Sequence, residues 1–424
     1  MSRPVLFVHV GLMKTGTTYL QGVLDANREA LAGAGVNFVG SSWTRQVRAA
    51  QDLLQLDQHD PQIATLSAGA WDALMAEVRE HRDATNVVSM EFLSFAGRRS
   101  VGRLTRALAG IDARVVVTVR DATATIPAQW QTSITSGSTL GWEQFQSGVQ
   151  RAVRPWWAAA ALADPAVREF RRTQDVRRVL DVWGKVVPAD RLHVVTVPRG
   201  GREANLLWPR FAEVVGVDPA LATEPARTAN PSIGYASTEL VRHLNLVLAD
   251  IPPWDYNRTV KAPLASSILA ARRPQERRPV LDPATAAVAG AWNTRSRDAI
   301  ADSGARFVGD WDDLPVAAPS SAPVDTAPPS RAELLEAAAT AWHGLVDLVD
   351  RRRRRVARIM GATPPASLAP QLPDWLERGR SEADLDGAVR DLSALVRTSV
   401  QLRREVLELR EIADSDTTEA DSAD

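Results

Sequence analysis

The sequence predicts a doubly wound α/β protein, a parallel sheet with helices on both faces, followed by a C-terminal helical appendage. Three observations carry that expectation. Near-continuous, valine-rich runs recur at 4–11, 86–90, 113–119 and 192–197, as strands buried on both faces do. Each is followed by apolar residues at three- and four-residue spacing, the mark of helices that make parallel βαβ units. A proline-rich break at 312–331 then separates this pattern from two long helical stretches.

Taken in order, the first run, PVLFVHVG, leads into a helix over Thr17–Leu31, and the second, NVVSM, follows a helix over Ala70–His81. Helices are expected over Val101–Ala109 before the third run, ARVVVTV, and over Ala122–Ser136 after it. Gln174–Val186 precedes the fourth run, LHVVTV, and Ala204–Val215 and Tyr235–Ala249 come after it. The spacing sets an α/β domain over 1–316, a Pro/Ala/Ser linker over 317–331, a helical region over 332–412 and an acidic disordered tail over 413–424. In the last helix Leu385, Leu392, Ser399 and Val406 alternate as a positions with Ala388, Leu395, Leu402 and Leu409 as d positions. That pattern suits either a homodimeric coiled coil through 382–412 or an intramolecular helical hairpin.

Composition excludes several classes. With 424 residues and 45% hydrophobic content the chain can bury a sizeable core. The net charge of −1 leaves no overall basic excess for holding nucleic acid. The absence of cysteine removes disulfides, thiolate metal sites and cysteine nucleophiles together. No segment approaches the ~18 apolar residues of a membrane span, and no signal-peptide pattern opens the chain, so a cytoplasmic location is expected.

Chemistry is concentrated at the first strand-to-helix turn, HVGLMKTGTTYLQ (9–21). Gly11, Lys14, Thr15, Gly16, Thr17 and Thr18 stand where backbone N–H groups and a helix N-terminus converge on one anion. Only three of the 50 basic residues are lysines, so Lys14 is an unusual choice in an arginine-writing chain. Lys14 precedes Gly16, whereas the nucleoside-triphosphatase loop places its lysine after the last glycine. Threonines here also suit ordinary helix capping.

This GxxKTGTT turn resembles the 5′-phosphosulfate loop of the sulfotransferases, enzymes that use 3′-phosphoadenosine 5′-phosphosulfate. RVVVTVRDATATIPAQWQ (114–131) resembles the family's strand–Arg–helix segment for the 3′-phosphate, and VVSMEFLS (87–94) is similar to its strand-end Ser-x-Glu region. The run over 1–316, with FRRTQDVRRVLDVWGKVVPADRLHVVTVP (170–198) and the closing FVGDWDDL (307–314), resembles an actinobacterial sulfotransferase-like group. The resemblance implies a P-loop-like fold, the phosphosulfate as co-substrate, no metal, and Lys14, Thr15, Gly16, Thr17, Thr18 and Arg120 as its binding residues. A family serine that joins the arginine is Ala128 here, and Gln129 and Ser133 are its nearby substitutes.

Sulfuryl transfer needs a cation at the leaving oxygen, suited by Lys14, and a base for the acceptor proton. Glu91, at the end of the second run, is the candidate base, with a structural cap or salt bridge as its other reading and His59 as the alternative base. Arg199–Arg202 can line the same pocket, while Asn230 and Ser232 suit a helix cap. The aromatic residues of PWW (155–157) suit stacking on a sugar ring or covering an apolar acceptor, and equally core packing. Arg351–Arg355 form a basic run suited to a solvated face or to anionic lipid or glycan. The expected acceptor is a hydroxyl or amine of a small molecule, glycan or lipid. A P-loop-type nucleotide kinase or phosphohydrolase, and a non-catalytic nucleotide-binding or oligomerising protein of the same fold, remain open alternatives.

Overall fold

A computed structural model describes residues 3–56, 61–153, 163–200, 204–226, 233–316, 326–368, 372–378 and 382–421. The chain forms two compact units. The first takes Met1–Gln129, Gln146–Asn230 and Leu281–Ala322; the second takes Trp130–Phe145, Pro231–Val280 and Pro323–Asp424.

The first unit is an α/β body around one all-parallel sheet. Its strands are β1 (Val5–His9), β2 (Val36–Phe38), β3 (Thr85–Ser89), β4 (Asp112–Val119), β5 (Leu192–Thr196) and β6 (Arg306–Val308), in the order β2-β3-β1-β4-β5-β6. All four valine-rich runs are strands. β2 and β6 were not expected, being only three residues each.

Alternation along the strands feeds two cores. Leu6, Val8, Val115 and Val117 pack with Trp71, Met75, Leu104, Val179 and Trp183 on one face. Phe7, Val116 and Val195 pack with Leu20, Leu24, Trp208 and Phe211 on the other. Helices therefore cover both faces, and the sheet is buried throughout.

Two expected helices are divided. The first ends at Ala26, because Asn27 leaves helical geometry and its side chain donates to Val23 O and Glu224 O, both at 2.8 Å. The expected Gln174–Val186 is Val176–Trp183, preceded by Pro165–Gln174; Asp175 between them is extended and accepts from the Arg178 N–H. The closing segment is locked to β5 by Asp313, which accepts from Thr196 Oγ1 at 2.6 Å and from Arg210 Nη1 at 2.5 Å.

The second unit is helical. Residues 231–280, expected with the α/β domain, belong here with the C-terminal helices. The helix Arg331–Ile359 opens with a capping box in which Ser330 and Glu333 satisfy each other's backbone N–H groups. It buries Ala337, Ala338, Ala341, Leu345 and Val349.

The helix Glu382–Asp421 runs alongside it in the same direction. Trp375 stacks edge-on to Trp342 and donates to Asp391 at 3.0 Å, whereas Arg352, ten residues beyond Trp342, donates to Ser399 O. The pair is intramolecular, as the hairpin reading expects, but parallel. The chain returns between the helices, pinned where Arg353 reaches Ala366 O and Asp350 accepts from Leu368 N. The last helix continues to Asp421, past its expected end near Ile412 and into the stretch expected to be disordered. Its a positions Leu385, Leu392, Ser399 and Val406 are buried within this chain, and Leu395, Leu402 and Leu409 are half-buried. In the basic run, Arg352 and Arg353 are half-buried and hydrogen-bonded while Arg351, Arg354 and Arg355 are exposed. The linker over 317–325 lies outside the described residues, and no described helix is long and apolar enough to cross a membrane.

Candidate functional site

The strand order locates the site. β1 continues in the chain to β2 on one side of the sheet, and β4 continues to β5 on the other. Adjacent strands whose connections diverge open a crevice beyond their C-terminal ends, where open α/β sheets bind ligands. The segment Val10–Gly16 leaves β1 into that crevice, and Arg120 follows the end of β4.

The turn is built by backbone pairing and by glycine. Val10 N donates to Val116 O at 2.7 Å and Leu12 N to Thr118 O at 3.2 Å, so the chain follows β4 beyond the end of β1. Met13 is clamped from outside: its N–H reaches Thr173 O at 3.3 Å, and its carbonyl accepts from Gln174 Nε2 at 2.9 Å. Lys14 and Gly16 then take left-handed conformations, with φ of 66° and 85°. At Gly16 a Cβ would also meet Leu207 Cδ2 at 2.4 Å. At Gly11 a Cβ would meet the hydroxyls of Thr17 at 2.2 Å, Thr118 at 2.8 Å and Thr15 at 3.2 Å, so three hydroxyls converge on one bare α-carbon.

The threonines divide by role. Thr15 Oγ1 donates inward to Leu12 O at 2.6 Å and meets Thr118 Oγ1 at 2.7 Å. Its hydroxyl is thus committed to the turn, and only its main chain remains for the ligand role expected of it. Gly16 is the N-cap of α1 (Thr17–Ala26), and no side chain caps the N-terminus of this helix. Thr17 and Thr18 are therefore the first helical residues rather than caps. Thr17 is buried, and its Oγ1 has no hydrogen-bond partner. A buried hydroxyl without a partner is uncommon, and this one faces the bare α-carbon of Gly11 at the start of the helix.

Arg120 Nη1 donates to the Lys14 carbonyl at 3.4 Å, which brings the two predicted cationic residues to one place. Asp121 is buried and accepts from Asn293 Nδ2 at 2.8 Å and from Thr123, with Arg199 at 3.8 Å. Arg199 thus stands beside the end of β4, while Gly201 and Arg202 lie outside the described residues.

Glu91 is half-buried at the first position of a 3₁₀ turn, Glu91–Phe95, directly after β3. Met90 N donates to His9 O, tying this turn to β1. Arg178 fixes it from behind by donating to Ser94 O at 2.7 Å and Ala96 O at 2.8 Å. Gln129 is buried and donates to Glu169 at 3.1 Å. Ser133 belongs to the second unit. His59, the segment PWW (155–157), Asn230 and Ser232 lie outside the described residues.

His9, inside β1, is wholly buried. It lies beneath the turn, with Nδ1 2.7 Å from Ser89 Oγ and Nε2 3.1 Å from Thr118 Oγ1. Burial pulls its pKa down to about 3, so the ring is neutral. Ser89 is itself fixed: its carbonyl accepts from Gln21 of α1 at 2.6 Å and its N–H donates to Gln46 at 2.8 Å. Polar residues inside valine runs (His9, Ser89, Thr118) were the available signal for this cluster.

Two open clefts, about 580 Å³ beside Asp250 and Arg397 and about 340 Å³ beside Asp52 and Trp71, have no turn residue in their walls. No group of three or more His, Asp or Glu positioned to hold a metal ion occurs among the described residues. Compared with known proteins, the chain matches no family model, no curated protein and no solved structure.

Proposed function

We propose that the first unit is a P-loop-like sulfotransferase that moves a sulfuryl group from 3′-phosphoadenosine 5′-phosphosulfate to a hydroxyl, or an amine, of a small-molecule, glycan or lipid acceptor. The observation that carries this reading is the Val10–Gly16 turn at the β1/β4 crevice. There a helix N-terminus that no side chain caps follows Lys14, Arg120 reaches the Lys14 carbonyl, and the buried Thr17 hydroxyl is left without a partner. Together they form an anion cradle.

The co-substrate brings an activated sulfuryl group on a phosphate that leaves with added charge. Lys14, a compact cation with three donors, suits the oxygen on which that charge grows. The N–H groups of Gly16, Thr17 and Thr18 and the Thr17 hydroxyl suit the 5′-phosphate. Arg120 suits the 3′-phosphate, and Glu91 takes the acceptor's proton. Against a nucleoside-triphosphate enzyme stand the order of Lys14 before Gly16 and the engagement of Asp121, the acid nearest the end of β4, with Asn293 and Thr123.

Calorimetric titration with 3′-phosphoadenosine 5′-phosphate, with and without magnesium, tests the reading. Binding independent of magnesium is expected. Binding only of a nucleoside triphosphate with magnesium assigns the kinase or phosphohydrolase instead.

A further inference from the structure

Four side chains beneath the turn form a continuous file: Ser89 of β3, His9 of β1, Thr118 of β4 and Thr15 of the turn. Its protons can be placed from the geometry. The carbonyl of Leu12 can only accept, so Thr15 donates to it. Thr15 Oγ1 must then accept from Thr118, whose own hydrogen is now used, and Thr118 must accept from His9 Nε2–H. In the neutral ring Nδ1 is left as an acceptor, and Ser89 donates to it. Each hydrogen points the same way, from the end of β3 through β1 and β4 to the turn.

We propose that this directed chain sets the conformation of the turn, and that His9 and Thr118 are positioning residues for the anion cradle. The file joins the strand ends that precede Glu91 and Arg120 to the Leu12 carbonyl of the turn. It does so through hydroxyls and an imidazole wholly shielded from water, where each missing partner leaves another group unsatisfied. Thr118→Val keeps the β-branched shape and removes one link. Thr118→Ser keeps the link.

The test uses the full chain and two readouts, amide hydrogen exchange over residues 11–17 and calorimetric affinity for 3′-phosphoadenosine 5′-phosphate. Thr118→Val is expected to speed exchange in the turn and weaken the nucleotide by about five- to tenfold each, the scale of one buried hydrogen bond. Thr118→Ser is expected to stay near wild type. Thr15→Val cuts the same file, so the Thr15→Val/Thr118→Val double variant should lose little beyond either single one. Unchanged exchange in Thr118→Val, or fully additive losses in the double variant, overturns the proposal. Should Thr118→Val fail to fold, Ser89→Ala removes the first donor without touching a turn atom, and exchange in the turn must still quicken. The affinity arm rests on the sulfotransferase reading and the exchange arm does not. A wild-type protein that ignores the nucleotide therefore defeats that reading and leaves exchange to decide the file.

Discussion

Arg120 Nη1 and the main-chain oxygen of Lys14 are 3.4 Å apart, donor to acceptor, so the cation that follows β4 rests on the backbone of the turn that carries the other cation. Replacing Arg120 with alanine should weaken 3′-phosphoadenosine 5′-phosphate by about 10- to 100-fold, the range of a charge-assisted hydrogen bond. Adenosine 5′-phosphate, which lacks the 3′-phosphate, should lose much less. Equal losses for the two nucleotides in calorimetry would place Arg120 away from the 3′-phosphate.

Lys14 holds φ at 66°, a conformation that costs a side-chain-bearing residue roughly 1–2 kcal/mol and glycine almost nothing. Lys14→Gly therefore separates backbone from charge. Its melting temperature should stay near that of wild type, while turnover falls by about 100-fold or more, as when one donor to a developing oxyanion is removed. Full turnover in a stable Lys14→Gly protein removes the lysine from the reaction.

Glu91→Gln keeps the shape of the side chain and removes its basicity. Single-turnover rate should fall by about 100-fold or more, with nucleotide affinity nearly unchanged. A parallel fall in affinity and melting temperature, with the rate within about threefold of wild type, would identify Glu91 as a structural cap, since general bases contribute far more than that.

Gly11→Ala introduces a methyl 2.2 Å from Thr17 Oγ1 and 2.8 Å from Thr118 Oγ1. Overpacking of this kind costs about 1–3 kcal/mol, and here it falls on the cradle itself. A lower melting temperature together with lost nucleotide binding is expected. Adding Thr17→Ala removes the closer clash and should recover part of the stability but not the binding. A Gly11→Ala protein as stable as wild type would contradict the convergence of the hydroxyls.

His9 gives the fold a pH dependence of known sign. Its pKa stands at about 3 in the folded chain against an ordinary 6.5, because burial disfavours the charged ring. The groups against it, Ser89, Thr118 and the edge-on Phe211 ring, carry no charge. Above pH 6.5 the ring is neutral in both states and contributes no slope. As pH falls from 6.5 toward 3, the unfolded chain takes up a proton that the folded chain refuses, and stability declines by about 1 kcal/mol per unit. Denaturant unfolding at pH 7 and pH 5 should show this loss in wild type and a smaller one in His9→Gln. Identical pH slopes for the two would mean that the ring is protonated in the folded chain.

Local pattern along the chain encodes strands, turns and helix starts. Four valine runs fixed four strands because a strand buried on both faces needs apolar residues in succession. The GLMKTGTT turn was legible because its glycines, lysine and threonines lie within eight residues and act through backbone geometry. Tertiary structure decided whatever depends on distant partners. β2 and β6 have three residues each and are strands only because β3 and β5 pair with them. Residues 231–280 join the helical unit because their apolar faces meet helices far along the chain, which no spacing in either segment records. The same reason governs the site. Whether a threonine of the turn faces a ligand or the core was undecidable from KTGTT, since Thr15 is committed by Thr118, 103 residues away, and Thr118 by His9, 109 residues away. Hydrogen bonds between strand interiors depend on register across the sheet, and register exists only once the chain has folded.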